Sequence, residues 1–388
     1  MRVLVAHVHY RQMGGEDVVF EAETHLLRDA GHDVEVLSVR SEDLDRIPLA
    51  ERARMALTYE AHDHGRRLIR EAIERSRPDL VHFHNLYPQL GVSAVEEADA
   101  LGCATVHTLH NYRLSCLAGT HLLRLDICER CKPTAFVPGM VRGCYRGSRL
   151  QSVLAARATT RQWRDMVARG LPLRVLALTD FMRQKYIAHG ASPDRLVHKP
   201  NSVDRGEPAP PEARHGVLTA GRLSPEKGIV PLMRVWPANA PTLTVAGSGP
   251  EEDEVSAAQG PNVRYLGRLQ PSDLRAAMRA ARVVALPSVG PEPMPLVALE
   301  SFSEGTPVVA FDGWSLGAMV KDVSHDCVVA FRDFPALARR AREITDAWYW
   351  DKISARCVAM HASTYSHQRN LAILERVYVD AIAERHSR

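Results

Sequence analysis

Two glutamates, Glu292 and Glu300, stand two helical turns apart in the segment Gly290-Pro291-Glu292-Pro293-Met294-Pro295-Leu296-Val297-Ala298-Leu299-Glu300. The first falls in a loop after an apolar strand, and the second lies inside a helix that begins near Leu296. The start of that helix presents unpaired backbone N–H groups and the positive end of its dipole, a setting that suits a diphosphate. Glu292 would then lie beside a sugar and Glu300 within reach of a ribose. The plain alternative is a capped surface helix with two incidental acids. A second loop, Thr219-Ala220-Gly221-Arg222-Leu223-Ser224-Pro225-Glu226-Lys227-Gly228, puts two cations, Arg222 and Lys227, at the end of another strand. Cations so placed neutralise a departing diphosphate without a bound divalent metal. As an isolated pair they would read as a solvated basic loop.

The first half of the chain offers different chemistry. His110 and Asn111 close one apolar strand, and His84 and Asn85 close another. A histidine at a strand end orients a substrate or polarises a hydroxyl, unless it is a hydrogen-bonded structural group. Gly14 and Gly15 let backbone approach a donor or acceptor closely, and a tight turn explains them equally well. Four cysteines follow in the loop 112–147 with the pattern Cys116-x11-Cys128-x2-Cys131-x12-Cys144. That spacing fits a four-thiolate zinc site, which would be structural because sulfur fills every coordination position. Free thiols or an occasional disulfide are the alternatives.

The elements that position these residues alternate strand and helix. Val3 to Val8 is an apolar run ending in His9 and Tyr10, followed by the glycine pair and a helical stretch over Val18 to Ala30. Asp79 to His84, Ala104 to Leu109 and Arg174 to Thr179 repeat the strand pattern, with helices such as Ala61 to Ser76 between them. A second set begins at Gly216 to Ala220 and continues through Thr242 to Ala246, Val263 to Leu266, Val283 to Leu286 and Pro307 to Phe311. Alternation of this kind builds parallel, doubly wound sheets. The proline-rich stretch 206–215 reads as a linker. The expected plan is an α/β chain of two Rossmann-like domains, 1–200 and 201–366, facing a central cleft, with a last helix over 367–388.

At this point the residues resemble a known family. Glu292 to Glu300 is similar to the E-x7-E motif of retaining GT-B glycosyltransferases, and Gly221-Arg222-Leu223 to Lys227-Gly228 resembles the G-R-L-x-x-x-K-G motif of family 4. The likeness extends to Gly14-Gly15, His82 to Asn85, Thr108-Leu109-His110-Asn111, Asn201-Ser202-Val203-Asp204 and Gly247-Ser248-Gly249-Pro250. It implies Arg222 and Lys227 on the diphosphate, Glu300 on the ribose, Glu292 on the donor sugar and His110 near the reacting centre. It also implies Gly14, Gly15 and Gly249 at the donor, and a terminal helix that crosses back to the first domain. One departure stands out: Pro293 and Pro295 remove two backbone donors, so backbone contacts there fall to Met294, Leu296 and Val297. The implied reaction is retaining transfer of a hexose from a UDP- or GDP-sugar to a hydroxyl of an acceptor sugar or lipid-linked sugar, in exopolysaccharide or lipid-linked glycan assembly. His84, Asn85 and Asn111 are the acceptor-side candidates.

Composition bounds the rest. A net charge of +3 gives no argument for nucleic acid. The N-terminus enters a strand pattern without the apolar core of a signal peptide, so the expected setting is cytoplasmic. Between Arg146 and Arg174 seven arginines face one acid, Asp165, with Leu150, Val153, Leu154, Trp163, Met166 and Val167 interleaved. A basic amphipathic helix of that kind rests peripherally on the inner face of a membrane, or is simply a solvated helix face. Other readings of the whole are antibiotic glycosylation, a nucleotide-sugar epimerase of the same architecture, and a non-catalytic nucleotide-sugar binding protein.

Overall fold

The computed structural model describes residues 1–9, 14–40 and 62–388, so the expected strand end at Tyr10 and helix start at Ala61 lie outside the described residues. The chain divides into two units. One comprises Met1–Leu123, Cys128–Pro200 and Leu371–Arg388; the other comprises Arg124–Ile127 and Asn201–Asn370.

The first unit is built on a parallel sheet of β1 (Arg2–His9), β2 (Asp33–Arg40), β3 (Leu80–Phe83), β4 (Ala104–Leu109), β5 (Arg174–Ala177) and β6 (Leu196–His198), in the order β2-β1-β3-β4-β5-β6. Successive side chains of β1 feed opposite faces, as strand geometry requires. Leu4, Ala6 and Val8 join one core with Ile69 and Phe83, while Val3 and Val5 join the other with Leu80 and Val106. Both faces are buried, which is why the strands read as continuous apolar runs rather than alternations. The second face is covered by the last helix, His367–Ser387, through Leu374, Val377, Tyr378 and Ala381. Polar contacts tie down the same helix: Arg385 donates to Asp99 at 3.1 Å, and Glu384 pairs with Arg174.

The second unit repeats the plan with β7 (Val217–Ala220), β8 (Leu243–Ala246), β9 (Val263–Tyr265), β10 (Val283–Leu286), β11 (Val308–Phe311) and β12 (Val328–Val329), in the order β9-β8-β7-β10-β11-β12, all parallel. Sequence reasoning does not anticipate β6 or β12. At three and two residues they are too short to carry a run or a period.

Candidate active site

In each sheet the strand order reverses beside the first strand of the unit, between β1 and β3 and between β7 and β10. Crevices at the carboxyl ends of such strands are where open α/β sheets bind ligands. The residues singled out from the sequence collect at these two places.

In the second unit the loops after β7 and β10 are joined to each other. The Val289 N–H donates to the Glu226 carbonyl at 2.9 Å, and a Cβ on Gly228, whose φ is 67°, would stand 2.2 Å from the Pro287 carbonyl oxygen. This contact brings Lys227 to Glu292, with Nζ 2.5 Å from Oε2. Ser288 donates to the other carboxylate oxygen of Glu292, so the side chain is held from both sides. Arg222 lies exposed on the same loop as Lys227.

The helix Leu296–Ser303 starts at Pro295, and Leu296 and Val297 occupy its first turn, where backbone N–H groups have no carbonyl one turn back. Met294 is buried, and its sulfur accepts from the Asn201 N–H at 3.1 Å. Burial of Glu300 on this helix pushes its carboxyl above the ordinary range, with Arg275 opposing the shift and Glu304 adding to it. Gly249 proves necessary to the backbone. The 247–249 loop is stitched to 221–223 by Gly221 N–H to Ala246 and Leu223 N–H to Ser248, and a Cβ on Gly249 would meet the Leu223 oxygen at 2.4 Å. The nearby Gly267 carbonyl accepts from the Gly247 N–H at 2.9 Å, which ties the loop after β9 to the loop after β8.

In the first unit His84, Asn85, His110 and Asn111 line one pocket, open to solvent, together with Glu16, Arg113 and Gln162. His84 Nδ1 lies 2.9 Å from His110 Nε2 with the rings stacked. Asn85 donates to the Val8 carbonyl at 2.7 Å and to Glu16 at 3.3 Å. Behind His84, Glu23 lies 3.6 Å from its Nε2 and makes a buried ion pair with Lys199. Burial drives the His84 and His110 rings well below the usual histidine range, so both are neutral at pH 7. Burial, reinforced by the Asp17 carboxylate, raises Glu16 to about 7, with Arg113 opposing it. Asp17 behaves oppositely: burial would raise it, but hydrogen bonds from His7, Gly14 and His9 hold it at about 2.

The Gly14 N–H is thus already given to Asp17 at 2.7 Å, whereas Gly15 opens the helix Gly15–Asp29 with its N–H exposed at the first turn. Glu16, Ser288, Gln162 and the Lys199–Glu23 pair escaped the sequence reading. Glu16 adjoins the glycine pair and was findable, but Lys199 and Glu23 are 176 residues apart and carry no joint signal.

The basic segment is only partly a free face. Leu154, Trp163 and Met166 are core residues, Arg161 and Arg169 are spent on Glu96, and Arg174 on Glu384. Exposed Arg149, Arg157 and Arg164 remain with exposed Leu150, Val153 and Val167. Among the described residues, no helix is long and apolar enough to cross a membrane.

Comparison with known proteins gives two adjoining family matches, "Glycosyl transferase 4-like domain" over residues 14–202 and "Glycosyl transferases group 1" over 214–346. A D-inositol 3-phosphate glycosyltransferase of Salinispora tropica is 31% identical over 338 residues, covering 80% of this chain and 65% of the relative. Its counterpart in Salinispora arenicola is 30% identical, covering 79% of this chain and 69% of the relative. The chain thus spans about two thirds of the length of these relatives. Among solved structures, HepE of Anabaena in complex with UDP superposes with a TM-score of 0.63 at 18% identity, over 97% of this chain and 99% of that one.

Proposed function

The chain belongs to the group 1, family 4 glycosyl transferases with the GT-B fold, and from that premise we propose that it is a retaining glycosyltransferase. The second unit takes a nucleoside diphosphate sugar, and the pocket of the first unit takes the hydroxyl acceptor. The observation that carries this reading is the cluster after β7 and β10, where Lys227 and Ser288 fix Glu292 and Arg222 shares the loop.

In the proposed reaction the acceptor oxygen bonds to the anomeric carbon as the bond from that carbon to the leaving phosphate breaks. The acceptor proton passes to the departing phosphate oxygen on the same face, and Arg222 and Lys227 balance the charge that develops there. Glu292 orients the sugar and Glu300 the ribose. With both glutamates given to the donor, front-face attack is favoured over a covalent sugar–enzyme intermediate. No divalent ion enters this scheme. His110, kept neutral by burial, orients a hydroxyl instead of carrying charge.

The donor is assigned as a UDP- or GDP-sugar, with UDP first because a protein of the same fold binds it. The acceptor is assigned as a sugar, cyclitol or lipid-linked sugar, in keeping with the inositol phosphate named for the Salinispora relatives. The exposed arginines and aliphatic side chains of the helix Arg149–Arg164 support peripheral contact with an anionic membrane on its cytoplasmic face. A thermal-shift screen across UDP-, GDP- and ADP-sugars tests the donor, since bound ligand raises apparent stability by mass action. The anomeric configuration of the product, read by NMR, tests retention. A protein that no nucleotide sugar stabilises, and that consumes none, would end this reading.

A further inference from the structure

We infer that Cys116, Cys128, Cys131 and Cys144 bind one zinc ion, which braces the wall of the first unit's pocket. The metal site stands on the cysteines alone; only the description of that pocket as the acceptor site rests on the function proposed above.

The seven cysteines fall into two groups. Cys103, Cys327 and Cys357 are buried, at 5% exposure or less, and serve as small apolar core residues. The other four are only half-buried, all are free thiols, and all lie within a single loop segment. Cys131 and Cys144 pack against the core as well, but a Cys-x2-Cys pair flanked by two more thiols also matches a closed tetrahedral zinc site.

The backbone between them is a series of tight turns. Of the eight described non-glycine residues with positive φ, four lie between Cys116 and Cys144, His121 (52°), Arg124 (51°), Leu125 (67°) and Thr134 (69°). Arg124 and Leu125 form the turn between the paired strands Leu122–Leu123 and Asp126–Ile127, and Thr134 lies in the turn closed by Lys132 and Ala135. Tight turns of this kind accept positive φ locally, so they shape each turn without fixing one turn against the next. Apolar anchoring comes from buried Leu117 and Phe136, with Cys131, Met140, Cys144 and Tyr145 packed against the same core, while Leu125, Val137 and Val141 are exposed. A metal cross-link supplies the constraint directly.

Local packing is arranged around the sulfurs. A Cβ on Gly139 would stand 3.2 Å from the Cys131 sulfur and 3.0 Å from Leu117 Cδ1, so glycine leaves room for both. His121 is engaged at both ring nitrogens, Nδ1–H donating to the Cys128 carbonyl at 3.1 Å and Nε2 lying 2.9 Å from Ser115 Oγ, and so fixes the loop that carries Cys128. Among the described residues, the clusters with ligand atoms within 4.8 Å of one another are His7/His9/Asp17 and Glu23/His82/His84, both rich in internal hydrogen bonds. The cysteines stand wider than that. Sulfurs about 2.3 Å from a zinc lie about 3.8 Å apart, so binding draws the quartet together.

The link to the pocket is short. Asn111 and Arg113 line it, the Tyr112 N–H donates to Gly119 at 3.2 Å, and the Cys116 N–H donates to Tyr112 at 2.9 Å. Gly119 in turn packs on Asn111, its Cβ position 3.7 Å from Oδ1. Loosening the Cys116–Cys128 loop therefore frees a pocket wall.

The test is elemental analysis of the full chain purified from zinc-supplemented medium. The expected content is about one zinc per chain, falling below about a tenth in the Cys128→Ser/Cys131→Ser variant. Cobalt exchanged into the wild-type chain should show thiolate charge-transfer bands and tetrahedral d–d bands, a readout that stands if the variant fails to fold. Wild type with less than about 0.2 zinc per chain, a cobalt spectrum without thiolate bands, or a variant that keeps its zinc each overturns the site. For the bracing role, the variant should raise acceptor KM about tenfold or more while donor affinity stays within about twofold, and an unchanged acceptor KM overturns it. Metal content needs no sugar substrate, so this result and the failure of the proposed reaction are separable.

Discussion

The Lys227 ammonium lies 2.5 Å from Glu292 Oε2, across 65 residues of sequence and between the two loops that follow β7 and β10. The contact satisfies both charges before any substrate arrives and leaves the ammonium beside the place assigned to the diphosphate. Both side chains are partly exposed, so the pair contributes little to stability. Glu292→Gln and Lys227→Ala should each lower kcat by about a hundredfold or more while shifting the melting temperature by only a few degrees. The double variant should lose far less than the product of the single losses, because the two act as a unit. Full turnover in either single variant would remove the assigned roles.

Gly249 is expected to resist substitution for a reason independent of ligand. Its φ of 159° borders on extended backbone, but a Cβ would stand 2.4 Å from the Leu223 oxygen, against backbone that cannot yield as a side chain would. Gly249→Ala should destabilise the protein by about 1–3 kcal/mol, read as a lower denaturation midpoint at unchanged m. A midpoint equal to wild type would show that the loop relaxes freely and that the glycine serves only the ligand.

The buried histidines set an acid limit on stability. His82 and His107 are pushed down to about 3 and about 4 by burial, and His84 and His110 well below the usual range. Each is neutral in the folded protein, whereas the unfolded chain takes up a proton near pH 6.5. Stability from these groups is therefore complete above about pH 6.5 and falls as pH drops, by up to about 1.4 kcal/mol per pH unit for each histidine. Melting temperature should decline steeply between pH 6.5 and 5. A flat profile there would mean that the folded and unfolded chains take up protons alike, and so that burial does not keep these rings neutral.

Much of this arrangement is written locally in the sequence. The strands after which the site loops occur are continuous apolar runs, and Arg222, Lys227, Glu292 and Glu300 sit at spacings that one loop or one helix start fixes by itself. Long-range partners carry no such mark. Nothing near Glu292 announces that Lys227 will pair with it, and nothing near Glu23 announces Lys199, because sheet order rather than chain distance brings them together. The basic stretch misleads for the same reason. Its arginines alternate with apolar residues as an amphipathic face would, yet Glu96, from another helix, takes up Arg161 and Arg169. Glycine is ambiguous in sequence as well: Gly14 reads as an approach point for ligand, and its N–H is already bonded to Asp17.

Glu16 gives the last expectation, since it lines the pocket with a carboxyl raised to about 7 by burial and by Asp17. Asn85 donates to it, Arg113 opposes the shift, and the neutral rings of His84 and His110 lie on the same pocket. A carboxyl raised in this way is protonated in the fold below pH 7 and ionised above it. Only the ionised form accepts hydrogen bonds from acceptor hydroxyls at both oxygens. Acceptor KM should therefore fall as pH rises from 6 to 8 in the wild type and lose that inflection in Glu16→Gln. Stability has the opposite sign. The folded state holds a proton that the unfolded chain gives up near pH 4.3, so the contribution shrinks from there up to pH 7. At pH 8 Glu16→Gln should consequently melt a few degrees above wild type, having no charge to bury. A variant that melts lower at pH 8 and keeps the wild-type pH profile would place Glu16 among the structural hydrogen bonds rather than at the acceptor.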